Sequence, residues 1–103
     1  MTLYANEIGY SEVYPYEVTR IISAKCMEIR QMSITPHPDW KPEIILGGFL
    51  GHCVNQHDQQ WLYHTNPANP VTRIRLNKRG QWMSHGRRFM VQDRPKYFYD
   101  YNF

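Results

Sequence analysis

Turn-forming residues divide this chain into short segments, and many of these segments alternate polar and apolar side chains. Alternation with a period of two is typical of β-strands that bury one face, whereas an amphipathic helix repeats every three to four residues. Residues 13–20 and Val71–Leu76 show the alternation, and residues 77–80 and 85–86 are typical of tight turns. The sequence predicts a mainly β protein, with about five to seven short antiparallel strands in a small barrel or bent sheet and at most one short helix.

Other segments complete this prediction. Residues 26–32 predict a second strand in a hairpin with the first, and residues 35–42, with three prolines, predict a loop. Between residues 54 and 64 the pattern favours a strand over 59–64, while a helix over 54–60 stays an open alternative. Further short strands are predicted at residues 43–46, 81–84 and 87–92. Five of the last seven residues are aromatic, so we expect this segment to pair with or dock on the sheet.

Length and composition bound the class of protein. A chain of 103 residues predicts one domain, residues 1–103, and its 42% of hydrophobic residues excludes a disordered tail. No apolar run reaches the roughly 20 residues that span a bilayer, and no basic region followed by an apolar stretch opens the chain. We therefore expect a cytoplasmic protein without a membrane partner. The isolated Cys26 and Cys53 fit a reducing compartment, and a bridge between them stays open.

Charge is unevenly distributed along the chain. Residues 1–64 carry four Lys and Arg against seven Asp and Glu, while residues 65–103 carry eight against two. The basic second part indicates either an anionic partner or association of the two parts in a homo-oligomer. An ordinary solvated basic surface is the alternative.

A neutral polar segment, residues 47–61, precedes the basic strands. Asn, Gln and His side chains can read the edge of a base, an aromatic ring can stack on it, and arginine forks pair with phosphates. We therefore predict a nucleotide-binding site formed by Phe49, His52, Asn55, Gln56, Trp61, Arg73, Arg75 and Arg79. A secondary basic surface is predicted from Arg20, Lys78, Arg87 and Arg88. The alternative for the two aromatic residues is packing in the core.

Catalytic and metal-binding patterns are incomplete. His52, Asn55 and His57 have spacings similar to a nuclease metal site, but the hairpin–helix frame of such sites is not evident. Cys53 and His57 have the spacing of one zinc-ligand pair, and a second pair is missing. The sequence also shows no Ser-His-Asp arrangement and no glycine-rich phosphate loop that opens a helix. We predict a protein that is not an enzyme and takes no cofactor and no metal.

Residues 97–103, which read Tyr-Phe-Tyr-Asp-Tyr-Asn-Phe, resemble the ending of small accessory proteins of phage and prophage genomes. Residues 14–18 and 75–80 are similar in character to segments of those proteins. The resemblance implies a viral, non-structural protein that acts in the host cytoplasm against host defences. It implies sequestration of an anionic nucleotide-type signal without chemistry. The alternatives are a protein-binding inhibitor of a host defence complex, as anti-CRISPR proteins are, and a small nucleic-acid-binding β-barrel.

Overall fold

A computed structural model describes residues 2–47 and 50–100, and this part of the chain is mainly β-structure. Its strands are β1 (Tyr4–Ile8), β2 (Val13–Ser23), β3 (Cys26–Gln31), β4 (Ser33–Pro36), β5 (Ile44–Gly47), β6 (Leu50–Cys53), β7 (Trp61–His64), β8 (Val71–Leu76), β9 (Trp82–Ser84) and β10 (Arg87–Gln92). A single turn of 3₁₀ helix, Gln56–Asp58, is the helical element of these residues.

Six of the strands close into an antiparallel barrel in the order β1-β10-β9-β8-β3-β2. The closing strand is β1, which pairs with β10 from Tyr4↔Gln92 to Ile8↔Arg88 and with β2 on its other edge. The predicted small antiparallel barrel is therefore confirmed. Residues 26–31 and 71–76 pair along most of their length without a register shift.

The inside of the barrel is filled with apolar side chains. Ala5, Ile29 and Ile74 have no exposed surface, and Tyr16 packs edge to face on Phe89 with 5.2 Å between the ring centroids. An eight-stranded barrel is only just wide enough for its own side chains, and a six-stranded one is narrower. A ligand of this protein therefore has to bind outside the barrel core.

Residues 32–70, which we call the annex, form two small antiparallel sheets, β4 with β7 and β5 with β6. In the annex, Trp40 is buried and lies 6.0 Å from Trp61, measured between ring centroids. Tyr97 contacts Trp61 at 4.8 Å on one side and Tyr14 of the barrel at 5.7 Å on the other. Tyr97 thus packs between the annex and the barrel.

The backbone of the aromatic segment that contains Tyr97 adds to β2. Phe98 and Val13 exchange two backbone hydrogen bonds of 3.0 and 3.1 Å. The expectation that this segment pairs with the sheet is confirmed for the part of it that the structure describes, residues 97–100.

Several local expectations need correction. β1, β4 and β6 were not predicted. The loop expected at residues 35–42 begins only after Pro36, which pairs with Trp61 at the end of β4. The strand expected at residues 59–64 begins at Trp61, because the backbone of residues 56–58 forms the 3₁₀ turn and Gln59 caps it. Cys26 and Cys53 lie in different sheets and are not joined by a disulfide.

Candidate functional site

Asn55 makes its hydrogen bonds within the annex. The Asn55 side chain accepts a hydrogen bond of 2.7 Å from the Glu43 backbone N–H and donates one of 2.8 Å to the Lys41 carbonyl. Gln56 is half-buried in the 3₁₀ turn. Phe49 and the side chain of His52 lie outside the described residues. The side-chain amide of Asn55 thus fixes residues 41–43, the segment that leads into β5.

Trp61 also has a packing role. Its indole N–H donates a 2.9 Å hydrogen bond to the Gln59 side chain, and its ring lies between Trp40 and Tyr97. The Gln59 oxygen accepts a second bond, of 3.0 Å, from the Tyr99 backbone N–H. The sequence suggested Trp61 as a stacking platform, and in the structure its half-buried ring packs against Trp40 and Tyr97.

The arginines of the predicted site, unlike Asn55 and Trp61, lie on the outer surface of the barrel. β8 has exposed residues at Val71, Arg73 and Arg75 and the buried Ile74 between them, so Arg73 and Arg75 share the outer face as predicted. Arg75 is opposite Met83 on β9, and Met83 is opposite Arg88 on β10. These outward positions form a row across three neighbouring strands.

On the other side of β8, charged residues continue across β3 and β2. Glu28 of β3 is opposite both Arg73 and Arg20, and its carboxylate lies 3.9 Å and 3.6 Å from their guanidinium nitrogens. We call the resulting set the arginine band; it consists of Arg20, Arg73, Arg75 and Arg88, with Lys78 and Arg79 in the β8–β9 turn. The band follows four of the six strand-to-strand steps around the barrel.

The band is strongly cationic. Residues 13–31 and 71–92 carry nine Lys and Arg against two Glu, whereas the annex carries one Lys against three Asp and Glu. The Arg20 and Arg73 side chains are 71% and 49% exposed, and Glu28 is 23% exposed. The second acid, Glu17, is bound by Arg30, whose Nε donates to it at 2.9 Å. Within the described part of the chain, Glu28 is the acid that pairs with arginines of the band, so most of the positive charge on the band is uncompensated.

Hydrogen bonds fix the backbone of the β8–β9 turn, which carries two cations, Lys78 and Arg79. The Asn77 side-chain oxygen accepts hydrogen bonds of 2.9 Å from the backbone N–H groups of Arg79 and Gln81. Gly80 closes the turn at φ +76°, a conformation that glycine adopts without steric cost. Lys78 and Arg79 are consequently presented at the tip of a well-bonded turn.

Arg87 lies apart from the band. Its guanidinium is 3.2 Å from the Glu7 carboxylate and 6.0 Å from the centre of the Phe89 ring. Tyr16 donates a 2.9 Å hydrogen bond to the same carboxylate, and burial together with this bond raises the pKa of Tyr16. Of the predicted secondary basic surface, Arg20, Lys78 and Arg88 belong to the band, and Arg87 belongs to this ion pair.

A groove of about 420 Å³ opens beside the band, and sequence reasoning missed it. It lies between residues 80–82 and residues 88–91, where the short strand β9 stops pairing with β10. The available signal was the spacing of turns: only residues 81–84 separate two turn sequences, whereas the neighbouring strands have six residues each.

Residues 2–47 and 50–100 include no group of three His, Cys, Asp or Glu residues that could hold a metal ion. No helix in the described part of the chain is long and apolar enough to cross a membrane. No family model matches the chain, and no match was found among curated proteins or among solved structures.

Proposed function

We propose that this protein is a non-enzymatic binding protein whose arginine band binds the phosphate backbone of single-stranded nucleic acid. The observation that supports the proposal is the band itself: four arginines share the outer wall of the barrel, and a basic turn lies among them. Guanidinium groups pair with phosphate through two parallel hydrogen bonds, which an ammonium group cannot do.

The extent of the band favours a polymer over a single nucleotide. Neighbouring strands lie about 4.8 Å apart, so four steps along the wall from Arg20 to Arg88 cover about 19 Å. One nucleotide cannot reach cations spread over that distance, whereas successive phosphates of a strand can.

The curvature of the band favours a single strand over a duplex. Four of six steps correspond to more than half of the barrel circumference. A duplex is stiff over about 150 base pairs and can touch only one side of so small a convex surface. A flexible single strand can follow the wall and contact both Arg73 and Arg88.

Sequestration of a nucleotide-type signal is the second candidate. The groove of about 420 Å³ has the size of small-ligand sites. The accessory role against host defences and the homo-oligomer both stay predictions. Binding of a strand by the band would suit such a role, because a protein that covers nucleic acid can hide it from host factors.

The proposal is tested by fluorescence anisotropy with a labelled single-stranded oligonucleotide of about 15 nucleotides. With four to six phosphates neutralised, the slope of log affinity against log salt is about −3 to −4, roughly a hundredfold loss between 50 and 200 mM salt. A duplex of the same sequence should bind more weakly.

Charge variants locate the binding surface. The double variant Arg73→Ala, Arg75→Ala should weaken binding at least tenfold. The matched control is Arg94→Ala, Lys96→Ala, which removes the same charge from exposed side chains outside the band. Equal losses in both variants, or no binding by the unchanged protein at low salt, would refute the proposal.

A further inference from the structure

The groove beside the band is a gap in the barrel wall. β9 pairs with β10 only as far as Trp82↔Phe89, while β10 continues to Gln92. Ile8, Arg88 and Met90 line the gap together with residues 80–82. We call this feature the β9–β10 gap.

The hydrogen-bonding pattern of the barrel directs the backbone N–H and C=O of one residue into this gap. In an antiparallel sheet, successive residues of a strand bond alternately to the neighbour on either side. The Val18 N–H donates to the Leu3 carbonyl at 3.2 Å, so the odd-numbered residues along β1 bond toward β2 and its even-numbered residues bond toward β10. Met90 of β10 therefore bonds to Asn6 of β1.

In Val91, the residue of β10 after Met90, the backbone N–H and C=O must point away from β1. Val91 directs its N–H and C=O toward β9, where the position opposite it belongs to Gly80. The Gly80 N–H donates instead to the Asn77 carbonyl at 3.1 Å, and the Gln81 carbonyl accepts from the Asn77 N–H at 2.9 Å. Within residues 2–47 and 50–100, the Val91 pair thus faces the gap without a strand opposite it.

We propose that the β9–β10 gap binds one nucleobase of the strand whose phosphates lie on the arginine band, and that the Val91 N–H and C=O bond to the edge of that base. This inference rests on the proposed function. Unstacked bases are recognised through hydrogen bonds along their Watson–Crick edges, where a donor and an acceptor are adjacent. One extended residue offers the complementary donor and acceptor side by side.

The walls of the gap fit the same ligand. Trp82, which is half-buried and also packs against the barrel core, lines the gap together with Met90, which is 46% exposed, and both side-chain types make favourable contacts with a planar ring. Arg88 belongs to the band and also lines the gap, so a base in the gap is next to a cation for the phosphate that follows it.

An added peptide strand fits the gap poorly. Strand addition uses several successive N–H and C=O pairs along an open sheet edge. The gap offers the single pair of Val91 and is bounded on its far side by residues 80–82 of the same chain. The geometry therefore favours a small planar group over an extended backbone.

The experiment compares a single-stranded oligonucleotide with an abasic oligonucleotide that has the same phosphates and no bases. The abasic strand should bind about tenfold more weakly, which corresponds to the lower part of the range for one bound base. Hydrogen exchange followed by NMR supplies the second readout: exchange of the Val91 amide should slow at least tenfold with the normal strand and stay unchanged with the abasic one. The matched control is the Met90 amide, which is bonded to β1 and should be protected throughout.

The outcomes separate the two proposals. If both strands bind with equal affinity and the Val91 amide exchanges freely, the base site is refuted and phosphate binding by the band stands. If neither strand binds, both proposals are refuted. If the abasic strand binds more weakly while Val91 exchange is unchanged, bases are bound elsewhere on the protein and the gap is the wrong site.

Discussion

Replacing Glu28 with Gln tests the electrostatics of the arginine band most directly. The carboxylate of Glu28 lies between the guanidinium groups of Arg20 and Arg73, 3.6 Å and 3.9 Å away. It partly neutralises the two cations that a phosphate would contact, and it repels that phosphate. We therefore expect Glu28→Gln to tighten binding of a single strand, although it removes two ion pairs.

The size of the effect follows from the distances. A phosphate on the far side of either guanidinium stays about 7 Å from the Glu28 carboxylate, and the repulsion is about 0.6 kcal/mol at the dielectric constant of water and about 2.4 kcal/mol at an effective value of 20. Arg20 and Arg73 are largely exposed, which favours the lower figure. The expected gain in affinity is about threefold to tenfold at low salt.

The measurement is anisotropy at 50 mM salt with the same oligonucleotide, alongside the control Asp39→Asn. Asp39 lies in the annex with its side chain 80% exposed, so this variant changes the net charge equally at a distance from the band. Affinity that is unchanged in Glu28→Gln, or that rises equally in both variants, would refute the reasoning. Chemical denaturation checks the fold, since exposed ion pairs stabilise by about 0.2–1 kcal/mol each.

Other predictions concern the stability of the fold. Asn77→Ala removes the acceptor of two backbone bonds in the β8–β9 turn and should lower the free energy of unfolding by about 1–2 kcal/mol, while Asn77→Asp keeps the acceptor and should cost less in the same denaturation experiment. Phe89→Ala should cost about 3–5 kcal/mol, because Phe89 is 3% exposed in the barrel core, and a cost below 1 kcal/mol would contradict the assigned core. The hydrogen bond to Glu12, with burial, raises the pKa of Tyr14 from 10.0 to about 12. The unfolded chain therefore loses this proton first, so stability is fully present below pH 10 and falls as the pH rises from 10 to 12. Circular dichroism during alkaline titration should show a shallower decline over that range for Tyr14→Phe.

Local patterns predicted the bounds of two strands. Alternation predicted β8, in which Ile74 is buried between the exposed Arg73 and Arg75, and the turn sequences on either side predicted β10. β1 was missed, because Asn6 and Glu7 make its sequence look polar. Asn6 is nonetheless 1% exposed, and its amide bonds to Gln92 and to the backbone of residues 94 and 96. Those partners are 86 to 90 residues away, and no local pattern contains them.

In the candidate site too, features that follow from local strand geometry were predicted, and features that depend on distant contacts were not. Alternation placed Arg73 and Arg75 on one outer face because that inference needs only the geometry of a strand. Residue type alone pointed to Asn55 and Trp61, and an amide that fixes a loop has the same chemistry as one that reads a base. The Val91 pair was beyond sequence reasoning, since it depends on where β9 stops pairing and not on the side chain of Val91.

The pairing of β1 with β10 also determines when the barrel of a growing chain can close. β1 leaves a ribosome before its partner β10 and before the residues that bond to Asn6, which lie 86 to 90 residues further along the chain. Until they emerge, β1 has a neighbour on one edge only and the wall between Arg75 and Arg88 is incomplete. We expect the complete arginine band to form in one late step of synthesis, after β10 has emerged.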